Sequence, residues 1–130
     1  MAIDVAAQVR YWRDGSADDL EAARTLLGAG KIRQAGFFVH LAIEKAVKAC
    51  AVAATRDLPP RSHDLLLLVQ RIGIALTEQQ RDFIARVQVY CLEGRYPTEL
   101  PPPPAAEAVA QDLQQAAEII RWLMSRLNSP

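Results

Sequence analysis

The chain has 130 residues, 51% of them hydrophobic and 23% charged, enough apolar material for one buried core and too much for a disordered chain. Fifteen Lys and Arg balance fifteen Asp and Glu, so no global field draws it to nucleic acid, membrane or acidic partners, and any such binding must be local. No segment reaches the roughly 18 apolar residues of a membrane span, and "MAIDVAAQVR" lacks the basic-then-apolar pattern of a leader; a cytoplasmic location without membrane contact is expected.

In chain order, Val5, Val9, Trp12, Ser16, Leu20, Ala23 and Leu27 recur every three or four residues, the stripe of one amphipathic helix that stays in register across Gly15. The stretch "GSADD" offers an alternative start for a second helix, because Ser16 and Asp19 have capping-box spacing. Gly28 and Gly30 are placed to end the helix, since glycine accepts the left-handed conformation beyond a C-terminus. A second helix is predicted from about Lys31 to Thr55, stopped by the prolines of "RDLPPRS". Ser62 is placed to cap a short third helix, "DLLLLVQRIG", with Asp64 in its first turn. Thr77 and Gln80 form a capping box for a fourth, whose apolar face is Phe83, Val87, Tyr90 and Cys91 and which Gly94 ends.

"RYPTELPPPP" then reads as a stiff, extended spacer. The last helix, about Ala105 to Leu127, carries Val109, Leu113, Ala116, Ile120 and Leu127 in one stripe. Ile119 and Trp122 point away from it, toward the N-terminal segment or a partner. No segment alternates as a strand does, and no Gly-rich phosphate loop is present. The expected fold is a single all-α domain over residues 1–130, an antiparallel up-and-down four-helix bundle with one additional short helix.

The second helix carries the most information. At about 100° per residue, Ile32, Ala35, Gly36, Val39, Ala42, Ile43, Ala46, Val47, Ala49, Cys50, Ala53 and Ala54 fill one continuous core-facing sector. The other sector mixes His40, Glu44, Lys45 and Lys48 with Phe37, Leu41 and Val52. Large apolar side chains among charges predict a second contact surface, and the economical partner for it is another copy of the chain in a two-fold homodimer. Glu44 and Lys48, four apart, can pair along the helix for only about 0.2 to 0.5 kcal/mol. Buried and unpaired, each charge would cost several kcal/mol, so both are expected to edge a wet crevice. The alternative is a solvated ion pair beside scattered apolar residues. Cys50 and Cys91 fit no metal or disulfide spacing and read as buried thiols. His40 and Glu44 alone do not make the Glu-x-x-His pairs of a di-metal bundle, so neither metal nor cofactor is expected.

"FFVHLAIEKAVKAC", "SHDLLLLV" and "GRYP", in that order after "YWRDGSADDLEAARTLLGAGK", resemble the HEPN family of small all-α domains over roughly Tyr11 to Leu127. The resemblance implies a bundle that dimerises around a cleft for RNA or nucleotide phosphates. It also implies a place in a toxin–antitoxin pair, with a nucleotidyltransferase as the partner protein. Active members are metal-independent ribonucleases that use an arginine followed, after four to six residues, by a histidine. Arg95 matches the arginine; the histidine would fall at Leu100, Pro101 or Pro102, none of which can move a proton. Arginine by itself holds and neutralises phosphate, so phosphate binding through Arg95, Tyr96, Glu44, Lys48, Lys45 and His40 is the expectation. A ribonuclease would need a displaced histidine, with Arg95 and His40 as catalytic candidates. His63, beside Ser62 at a helix start, reads first as structural. A helical module that only binds a nucleotidyltransferase, through Phe37, Leu41 and Trp122, is the rival.

Overall fold

The computed structural model describes residues 3–91 and 104–127. Five helices are defined there: α1 Val5–Gly28, α2 Ile32–Thr55, α3 Leu65–Arg71, α4 Glu78–Val87 and α5 Ala106–Leu127. Among the described residues there is no strand. The predicted end of the fourth helix at Gly94, the proline-rich spacer and the pair Arg95 and Tyr96 lie outside the described residues.

Local chemistry accounts for most boundaries. Asp4 caps α1 by accepting from the Ala7 N–H at 3.0 Å. The helix then runs unbroken through Gly15, so the start offered by "GSADD" is not used. Gly30 takes φ +79°, which lets the Lys31 N–H turn back to the Leu26 carbonyl at 2.8 Å. With Lys31 as the N-cap of α2, only three residues separate α1 from α2, which therefore form an antiparallel hairpin. Thr77 and Gln80 form the predicted reciprocal capping box at α4. The cap of α3 differs from expectation. Asp64, not Ser62, accepts from the Leu67 N–H at 3.2 Å. Ser62 stands two residues outside the cap, its hydroxyl accepting from the Asp64 N–H at 3.1 Å, because a serine readily bonds the amide two residues on.

α2 is the axis of the bundle and touches all four other helices. Its predicted inner sector is enclosed at Ala35, Val39, Ala42, Ile43, Ala46, Val47 and Ala49. Each large side chain buried around it, such as Ile43, Leu65, Leu68, Ile84 and Leu123, contributes about 1.5 to 3 kcal/mol relative to exposure. Small residues set the spacing. The Ser16 hydroxyl of α1 donates to the Ala42 carbonyl of α2 at 2.6 Å, a contact that requires the two backbones to lie close together.

Three expectations are corrected. Ala53 and Ala54, assigned to the core sector, are exposed, since the last turn of α2 borders an open cleft with Cys50, Ile72, Ile74, Arg126 and Leu127. Ile119 joins the core and Trp122 packs partly buried against it; the Arg126 guanidinium, four residues on, lies 5.4 Å from the Trp122 ring centroid. The mixed face of α2 is largely covered by the chain itself. Val52 and His40 are fully buried and Glu44 and Lys48 nearly so, with Trp12 of α1 beside Lys48 and His63 of the segment 56–64 against Glu44 and His40.

Candidate functional site

The buried polar side chains of α2 converge on one point. His40, Glu44 and Lys48 are successive positions one turn apart, so the helix stacks them on one face. They are 0%, 3% and 6% exposed. Lys48 Nζ donates to Glu44 Oε2 at 3.2 Å, and the same ammonium sits 5.4 Å from the ring centroid of Trp12 on α1. The indole face thereby gives the lysine a second favourable neighbour in place of water. An ion pair this enclosed adds little net stability, since desolvation offsets attraction. Removing one partner alone would leave a costly buried charge.

The other oxygen of Glu44 reaches out of the helix. Oε1 accepts from His63 Nδ1 at 2.8 Å, so the loop between α2 and α3 is tied onto the polar face. His40 acts on the same residue from behind: its Nε2 donates to the His63 carbonyl at 3.1 Å. That carbonyl also accepts from Gln88 Nε2 at 3.0 Å, while Gln88 Oε1 accepts from the Leu65 N–H at 2.9 Å. His63 is therefore held at its ring and at its backbone, yet its side chain is 49% exposed.

The two histidines differ in kind. Burial pushes the His40 pKa below its ordinary 6.5, outweighing the nearby Glu44 carboxylate, which pulls it upward. With Nε2 donating, Nδ1 of the neutral ring carries no proton. That nitrogen is enclosed without a hydrogen bond among the described residues, 3.9 Å from Glu44 Oε1. His40 thus serves the interior, and His63 is the histidine that meets solvent.

Of the residues selected from sequence, the structure brings Glu44, Lys48 and His40 together. Lys45 turns the other way and pairs with Asp19 of α1 at 2.8 Å. Arg95 and Tyr96 lie outside the described residues. Sequence reasoning placed His63 below His40 and did not include Gln88 or Trp12. The only sequence signal for Trp12 was its place in the stripe of α1, and none marks Gln88, whose partners are a loop and a helix start more than twenty residues away. The cysteines read as buried thiols are buried and form no disulfide. Burial raises the Cys50 pKa to about 11, which removes it as a nucleophile at neutral pH. Among the described residues no group of His, Cys, Asp and Glu is arranged to hold a metal ion.

Residues 9–127 match the family model of the HEPN domain. The chain belongs to the HEPN family. Its fold is similar to that in the crystal structure of TT1696 from Thermus thermophilus, with a TM-score of 0.77 at 24% identity, covering 91% of this chain and 97% of that one. It is also similar to ST0689, an archaeal HEPN homologue, with a TM-score of 0.66 at 21% identity over 92% and 97% of the two chains. At these identities the likeness concerns the fold. No curated relative matches the chain. No helix among the described residues is long and apolar enough to cross a membrane.

Proposed function

We propose that this HEPN domain works as a homodimer that binds nucleotide or RNA phosphates in a crevice between protomers, as one half of a pair with a nucleotidyltransferase-type protein. The observation that carries the reading is the buried Lys48–Glu44 pair ending in the exposed imidazole of His63. Charges enclosed at this cost are weak devices for stability and are concentrated at sites that use them. Arg95 supplies the phosphate contact in this reading, since a guanidinium presents paired donors to phosphate oxygens.

The test is calorimetric titration of the full chain with AMP and with a short 5′-phosphorylated RNA. Arg95→Ala should weaken both by about tenfold or more while leaving the melting temperature nearly unchanged; equal affinity removes Arg95 from the site. Co-purification with a neighbouring nucleotidyltransferase, together with no affinity for either phosphate probe, would favour a purely structural interaction module. A ribonuclease reading is favoured by one observation only, the accessible and carboxylate-held His63; RNA left intact in the presence of chelator would retire it.

A further inference from the structure

Both oxygens of Glu44 are spoken for, Oε2 by Lys48 at 3.2 Å and Oε1 by His63 Nδ1 at 2.8 Å. A carboxylate paired with an ammonium has no proton to give, so the hydrogen between Glu44 and His63 resides on Nδ1. That leaves Nε2 as the nitrogen of a half-exposed ring with no hydrogen bond among the described residues. The backbone of the same residue is clamped by His40 and Gln88 through its carbonyl. The backbone anchors fasten the loop onto α2, and the bond from Glu44 orders the ring as well, at a cost in side-chain entropy. The arrangement fixes which nitrogen faces outward, the feature that separates an oriented imidazole from a solvated one.

We infer that His63 is a ligand-contacting residue of this HEPN domain, with Nε2 the contact atom and Glu44, Lys48 and His40 its positioning residues. The inference rests on the phosphate-binding reading for the identity of the ligand. The surroundings offer a basic side chain to an anion. Lys48 and Glu44 cancel each other, and Arg61, exposed two residues upstream, puts a fixed positive charge beside the loop. The neighbouring carboxylates keep their charge but point to backbone donors, Asp64 to the Leu67 N–H at 3.2 Å and Asp57 to the Leu58 N–H at 2.7 Å. With Nδ1 turned inward to Glu44, Nε2 is the ring atom placed to exchange a hydrogen bond with a phosphate group.

The experiment uses the full chain labelled with ¹⁵N. Long-range proton–nitrogen spectra of the neutral ring should show His63 as the Nδ1–H tautomer. AMP should shift its ring resonances. AMP affinity should fall about tenfold or more in His63→Gln, a change at a half-exposed side chain. An Nε2–H tautomer, or ring resonances that AMP leaves unmoved, overturns the assignment. If AMP binds in an Arg95-dependent manner and His63→Gln binds it equally well, His63 is out of the site while the phosphate reading stands. If the unaltered chain binds no AMP, both fall.

Discussion

At the residue scale, one close approach shows how tightly α2 is packed. A Cβ built on Gly36 would lie 2.9 Å from the Tyr90 ring, so the absence of a side chain is what lets that ring lie flat on α2. From there the Tyr90 hydroxyl donates to Asp112 Oδ2 of α5 at 2.6 Å, and Arg86 Nη2 donates to Asp112 Oδ1 at 2.7 Å. Gly36→Ala should therefore cost about 1 to 3 kcal/mol of unfolding free energy, because the ring can move only by breaking that bond. Tyr90→Phe should cost about 1 to 3 kcal/mol by leaving the buried Asp112 oxygen short of a donor. Urea denaturation measures both. His40 gives the pH prediction. Its folded pKa lies below 6.5, so between the two values the unfolded chain takes up a proton that the folded chain refuses. Its contribution to stability is complete above about pH 6.5 and is lost as pH falls toward the folded value. Urea midpoints followed from neutral to mildly acidic pH should fall in this window, and His40→Gln should flatten that part of the curve.

At the element scale, the segment 56–64 owes its place to side chains rather than to regular structure. It leaves α2 at Arg56, a non-glycine residue held at φ 57°, and is fastened again at His63 and Leu65 by Glu44, His40 and Gln88. Gln88→Ala removes two of those bonds at once. The amide of Leu65 should then exchange with solvent about tenfold faster or more, while amides in the middle of α2 stay protected; hydrogen exchange resolved by residue checks this. Helix ends set by neighbours in sequence were readable beforehand. The Thr77 and Gln80 box is complete within four residues, whereas the choice of Asp64 over Ser62 depended on where the tied loop lets α3 begin.

At the scale of the whole molecule, the proposed homodimer has less of the mixed face to use than the sequence implied. Val52, Glu44 and Lys48 are covered within one chain, leaving Phe37, Leu41 and exposed Tyr11 as the apolar surface near it. Sedimentation equilibrium should give a mass near twice 14.3 kDa, and Leu41→Lys should shift it toward one chain without lowering the melting temperature much, since Leu41 is only partly buried. A single-chain mass for the unaltered protein at high concentration would remove the interprotomer crevice from the proposed function.

The sequence by itself determined the all-α class, the order of the described helices and the inner sector of α2 except its last turn, where Ala53 and Ala54 are exposed, because three-to-four spacing, caps and prolines act over a few residues and leave their mark locally. It also assigned Glu44, Lys48 and His40 to one side of a helix. Only the tertiary structure decided what lies opposite them. Helical periodicity fixes the angle of a side chain about its own axis; it does not tell whether that angle meets water, a twin, or a loop returning from the same chain. The return of residues 56–64 enclosed His40 and set His63 against Glu44 with half its side chain in solvent.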